Sequence, residues 1–173
     1  MAHPLGLESG TVVVVPYDSR WPELFRAEAE RIVRSIAPSA LHLEHVGSTA
    51  VPGLAAKPVI DLLGGIPEGA SMQRYVDLLV GTGYDYRGDQ GIPGREFFRR
   101  GTPRSYHLHL TVMGGDFWRE HVAFRDALRA STQLRDEYAA LKRALAERFP
   151  RDREAYIEGK GPFVRRVLQM SGR

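Results

Sequence analysis

Hydrophobic positions along the chain alternate between a period of two and a period near 3.6. The β-branched run "TVVVVPY" closes at Pro16 and predicts a first strand over residues 11–17. Asp18 or Ser19 can then cap a helix with Pro22 in its first turn, in which Trp21, Phe25, Ile32 and Ile36 share one face. Pro38 ends that helix. "LHLEHV" alternates and reads as a strand ending at Gly47, and "PVIDLLGGI" reads as an apolar strand interrupted only by Asp61. Helical spacing returns from Met72 to Val80 through Tyr75, Leu78 and Leu79.

"REFFRRG" and "SYHLHLTVM" predict two strands, joined as a hairpin through "GTPRS". Beyond them Phe117, His121, Phe124 and Leu128 fall on one helical face. Leu134, Tyr138, Leu141 and Leu145 do the same after a cap at Ser131 or Thr132. Gly159, Gly161 and Pro162 predict a break, with a short helix restarting toward Leu168. The order of elements predicts an α+β fold: a mixed β-sheet with flanking helices and a helical C-terminal third, in one domain over residues 1–173.

Composition narrows the chemistry. The chain has no cysteine, so disulfides and thiolate sites are excluded and any metal must be held by His, Asp or Glu. The start "MAHPLGLESG" lacks the basic and apolar regions of a signal peptide, and no apolar run is long enough to span a bilayer. The expectation is a cytoplasmic protein without a membrane partner. A formal net charge of +3 is too small to support nucleic-acid binding by the whole domain. The one basic concentration is "RGDQGIPGREFFRRGTPR", with five arginines against Asp89 and Glu96.

In "GST", Gly47 permits a tight turn that lets Ser48, Thr49 and neighbouring amides face an anion such as a triphosphate; the plainer alternative is a strand-to-helix turn capped by Ser48. Asp61 inside an apolar strand needs a metal, a cation or hydrogen bonds. His107 and His109 project from one strand face, and with Asp61 they make a ligand set suited to Zn, Mn, Fe or Ni; a satisfied polar face without metal is the alternative. Lys57 can pair with Asp61 or with phosphate, or can be simply solvated. Arg95, Arg99, Arg100 and Arg104 can clamp phosphates or can be plain surface. Only one of Glu44 and His45 can face Asp61's cluster, and spacing does not say which. His121 reads as a packed core histidine, His42 has no evident partner, and His3 falls in a frayed terminus. Lys142, Tyr156 and Lys160 receive no role from spacing.

Several blocks together, "VPYDSRWPELFRAE", "EHVGSTAVPGLAAKPVIDLL", "GREFFRRG", "HLHL", "FRDALRA", "YAALKRALA" and "YIEGKGPFV", resemble the GrpB family from about Val12 to Leu168. The resemblance implies a nucleotidyltransferase-like fold, in which Gly47 and Ser48 match the phosphate-holding Gly-Ser pair and Asp61 matches the first metal carboxylate. Leu63 stands where that superfamily places its second carboxylate, and His107 or His109 stands in for the third. The expected cofactor is a divalent metal, Mg, Mn or Zn. GrpB-like domains fused to dephospho-coenzyme A kinase imply a link to coenzyme A metabolism.

These readings converge on a domain that binds a nucleotide or other small phosphorylated substrate, with catalysis weakened or altered by the apolar Leu63. Asp61 and Ser48 would be catalytic; Gly47, Ser48, Thr49, Lys57, Arg95, Arg99 and Arg100 would bind substrate; Asp61, His107 and His109 would hold metal. The alternatives are a non-catalytic anion-binding module and a single-metal hydrolase.

Overall fold

The structure is a computed structural model that describes residues 4–8 and 10–172, so His3 lies outside the described residues. Five strands form one mixed sheet: β1 (His42–Val46), β2 (Ile60–Ile66), β3 (Asp85–Tyr86), β4 (Glu96–Arg100) and β5 (Tyr106–Val112), in the order β1-β2-β5-β4-β3. β2 and β5 run parallel at its centre, and the other pairings are antiparallel. A central parallel pair is covered on both faces. Ile60, Leu62, Leu63 and Ile66 are accordingly fully buried.

One sheet face packs against α1 (Trp21–Ile36) and α2 (Met72–Gly81). There Ile60, Leu62, Phe98, Leu108 and Leu110 meet Trp21, Ile32, Tyr75 and Leu79 in the main core. The other face carries Asp61, His107, His109, Phe97 and Arg99, and it looks toward α3 (Asp116–Ala130), α4 (Thr132–Arg148) and α5 (Arg153–Met170). These three helices have their own core around Leu128, Tyr138, Phe163 and Val167.

The structure corrects three local expectations. Residues 11–17 form no strand: Val15 exchanges two backbone hydrogen bonds with Ala56 as an isolated bridge, and the Val12 amide donates to the Pro150 carbonyl at 3.0 Å. The β-branched side chains suit an extended strap because Val12 and Val15 are buried in two different clusters. Neither Asp18 nor Ser19 caps α1. Arg20 occupies that position, and Asp18 instead accepts the Arg20 amide at 2.9 Å. Finally, α5 runs unbroken through Gly159, Gly161 and Pro162. A Cβ at Gly159 would lie 2.4 Å from Leu145 Cδ2, so close packing on α4 overrides the low helix propensity of glycine. Ser131 does cap α4, accepting the Leu134 amide at 3.2 Å.

Candidate functional site

The strand register builds the site. Val46, the last residue of β1, pairs with Asp61, so the turn that follows at Gly47 lies directly against the Asp61 side chain. Gly47 adopts φ 71° and ψ −174°, a conformation essentially confined to glycine. Ser48–Ala50 then form a single 3-10 turn. Across the parallel pairing Asp61 faces His107, and Leu63 faces His109.

These residues converge as the alternation predicts. His107 donates Nδ1–H to Asp61 Oδ1 at 3.1 Å, and His109 Nε2 stands 3.7 Å from the same oxygen. Arg95 donates to His109 Nδ1 at 3.2 Å, which places the ring proton on Nε2, facing the carboxylate. Enclosure pushes the Asp61 carboxyl up, but the imidazole N–H groups of His107 and His109 outweigh it and hold the group well below the usual carboxylate range. Burial brings His107 down to about 4, against the opposing pull of Asp61, so it is a neutral donor.

Asp61, His107 and His109 lie in one cleft of about 460 Å³ with Gly47, Ser48 and Thr49 at its rim. Lys57, Arg95, Lys142, Arg153 and Lys160 line the same cleft, and among the described lining residues Asp61 is the sole carboxylate. The Lys57 and Lys160 ammonium groups stand 5.3 and 4.7 Å from the centroid of the Tyr156 ring. Lys142 is buried, donates to the Ala55 carbonyl, and lies 4.8 Å from the Tyr138 ring centroid. Ser48 and Tyr138 line the cleft together. Burial, then the repulsion of Lys160, brings Lys57 down to about 7. Burial brings Lys160 to about 8 and, with Lys160 and Lys57 nearby, drives Lys142 well below the usual lysine range.

A metal fits this donor set poorly. The donors converge on one carboxylate oxygen, His107 Nδ1 at hydrogen-bond distance and His109 Nε2 at 3.7 Å, and Arg95 sits on the far nitrogen of His109. Among the described residues no group of three or more His, Cys, Asp or Glu side chains is placed to hold a metal ion. His107 Nε2 is buried and, among the described residues, has no hydrogen-bond partner.

Other candidates fall elsewhere. Arg100 points to the opposite face and pairs with Glu28 at 2.8 Å. Arg99 shares the site's sheet face but lines a neighbouring smaller cleft. Neither Glu44 nor His45 lines the main cleft: Glu44 is on Asp61's face but bonds Arg125 at 2.7 Å, while His45 stacks on Phe25 and contacts Thr49 at 2.9 Å. His42 contacts Glu44 at 3.0 Å. His121, expected in a core, lines the cleft and stacks on Phe117. Tyr138, Lys142, Arg153, Tyr156 and Lys160 are the residues that sequence reasoning missed. One signal was available for Lys142, which follows Tyr138 by one helical turn and so occupies the apolar face of α4.

A family profile described as GrpB protein matches residues 11–170. UPF0157 protein PA4798 of Pseudomonas aeruginosa is 43% identical over 162 residues, which cover 91% of this chain and 66% of that protein. Glutamate-rich protein GrpB of Alkalihalophilus pseudofirmus is 33% identical, with 95% and 98% covered. A Mycolicibacterium paratuberculosis protein named dephospho-CoA kinase is 30% identical over 89% of this chain, which spans only 44% of the kinase. Among solved structures, conserved protein GrpB from Enterococcus faecalis superposes with a TM-score of 0.81 at 33% identity, covering 92% of this chain and 96% of that one. The Cid1 poly(U) polymerase superposes at 0.53 with 14% identity, covering 78% and 44%. The fold is therefore nucleotidyltransferase-like.

Proposed function

Since the chain belongs to the GrpB family, we propose that its cleft binds a nucleotide or other small phosphate compound, with catalysis weak or altered relative to a two-metal transferase. The observation that carries this reading is the basic lining of the cleft: five lysine and arginine side chains against the single carboxylate of Asp61 among the described lining residues. Crowded, poorly solvated ammonium groups are costly to keep charged, and a polyanion relieves both the desolvation and the mutual repulsion. Ser48 and Thr49 at the rim, beside the Gly47 turn, add hydroxyl donors for phosphate oxygens.

Two-metal phosphoryl transfer needs several oxygen ligands, and here one carboxylate already accepts from an imidazole. That favours lysine and arginine, rather than a metal pair, as the charge-neutralising groups. The relative named dephospho-CoA kinase makes coenzyme A nucleotides a sensible part of the ligand set.

The test is a thermal-shift and calorimetric panel of nucleoside triphosphates, dephospho-coenzyme A and coenzyme A, each with and without Mg, Mn or Zn, on wild type and Asp61→Asn. The expected result is binding that persists without metal. Removing the one carboxylate should tighten it. Robust turnover with pyrophosphate release that vanishes in Asp61→Asn would overturn the weak-catalysis part. Absence of any phosphate-compound binding would overturn the whole.

A further inference from the structure

The same sheet face carries a second group of cations toward its β3 edge. Arg87, Arg99 and Arg104 line a cleft of about 150 Å³ together with Glu8, Asp85 and the turn around Gly101. Arg99 projects from β4 alongside Phe97, and its guanidinium carbon lies 5.4 Å from the Phe97 ring centroid. The guanidinium carbon of Arg95, which lines the main cleft, lies 5.0 Å from the same centroid. The two groups of cations thus each contribute a guanidinium that lies against the Phe97 ring.

These arginines are poorly satisfied within the protein. Arg104 is only 7% exposed, and the Nε atoms of Arg99 and Arg104 are buried without a hydrogen-bond partner among the described residues. Asp85 stands 3.9 Å from Arg87 with its side chain 76% exposed, a weak pairing. No ion pair engages Arg99 or Arg104 among the described residues. Burial, followed by the repulsion of Arg153, Arg104 and Arg87, brings Arg99 down to about 10. Free arginines turn toward water or carboxylates. Three arginines lining one small cleft, two of them without an ion pair among the described residues, offer the positive charge and the N–H donors that a tetrahedral oxyanion takes.

We propose that Arg87, Arg99 and Arg104 form a second anion site, adjoining the main cleft, that takes a phosphoryl dianion. It stands on its own residues and does not depend on the nucleotide reading of the main cleft. The shared chemistry, a phosphoryl group with two negative charges, is offered both by free phosphate and by a phosphate monoester.

The full chain is titrated with inorganic phosphate at low ionic strength by calorimetry, as wild type and as the Arg87→Gln, Arg99→Gln and Lys160→Met variants. The expected result is a binding event that Arg87→Gln and Arg99→Gln each weaken about tenfold, the scale of one charge-assisted hydrogen bond, and that Lys160→Met leaves in place. Arg87 is 49% exposed, so its replacement keeps the fold even if Arg99→Gln does not. Phosphate binding that responds only to Lys160→Met, or no phosphate binding, overturns the proposal. If the arginine variants act while Lys160→Met is without effect on inorganic phosphate, the second site stands whatever the main cleft binds; the main-cleft reading fails separately, if Lys160→Met also leaves tripolyphosphate binding unchanged. Glycerol 3-phosphate in parallel separates the sources. Tighter binding than phosphate marks a monoester site and equal or weaker binding a site for the free ion, while binding of either ligand that ignores both arginine variants counts against the site.

Discussion

Gly47 leaves no room for a side chain beside Asp61: a Cβ at that position would lie 2.5 Å from Asp61 Oδ2. The strand register makes the approach unavoidable, because Val46 pairs with Asp61 and the chain must turn at the next residue. The turn and the acid are thus one structural unit.

Gly47→Ala should destabilise the protein by about 1–3 kcal/mol through backbone strain alone, with the contact on Asp61 adding to it. Urea denaturation measures the loss. A stability within 0.5 kcal/mol of wild type, roughly the scatter of neutral surface changes, would refute the close-approach argument.

Lys160→Met should move stability and binding in opposite directions. The substitution removes one of the crowded cations of the cleft while keeping an apolar stem against Tyr156. The melting temperature in the absence of ligand should hold or rise, and inorganic tripolyphosphate should bind about tenfold more weakly. A variant that loses stability with unchanged affinity would show that the lysine is structural.

Polyphosphate binding at pH 8 should take up protons. Lys57 and Lys160, brought to about 7 and about 8 in the free protein, are partly neutral there, and an anion between them restores their charge. Calorimetry of tripolyphosphate in buffers of different ionisation enthalpy should report an uptake of roughly one proton. Heats that do not vary with buffer would contradict it.

Acid should destabilise the fold well before the carboxylates titrate. His45, His107 and His121 are each brought from 6.5 to about 4, chiefly by burial. As the pH falls below 6.5 the unfolded chain binds protons that the folded chain does not. Their contribution is therefore complete above that value and is lost toward 4. The melting temperature should drop by roughly 10 °C between pH 7 and pH 5. His107→Gln should flatten the slope.

The centre of this site was legible because strands have a strict period. Asp61 interrupting an apolar run, and His107 and His109 two residues apart, can be assigned to a face from the sequence alone, and the parallel β2–β5 pairing brings those faces together. The cations were not legible. Lys142, Arg153 and Lys160 reach the cleft through the packing of α4 and α5 over the sheet, a distant relationship that no local period encodes. The basic stretch from Arg87 to Arg104 was visible as charge, yet β-alternation divides it: Arg95 and Arg99 share the site's face while Arg100 turns to Glu28. The strap at residues 11–17 and the unbroken α5 failed for a common reason. Local propensity was outweighed by tertiary packing, of Val12 and Val15 in one case and of Gly159 on Leu145 in the other.

That strap also works as a tether. It is anchored at Pro150, where α4 hands over to α5, and at Ala56, next to Lys57. Its two anchors tie the α4–α5 junction to the segment that carries Lys57, so the three peptide steps from Val12 to Val15 tether the helical layer to the approach of β2. Lengthening the strap by one residue would slacken that tether without altering any residue that lines the cleft, so the docking of the helical layer could be changed separately from the charge of the site.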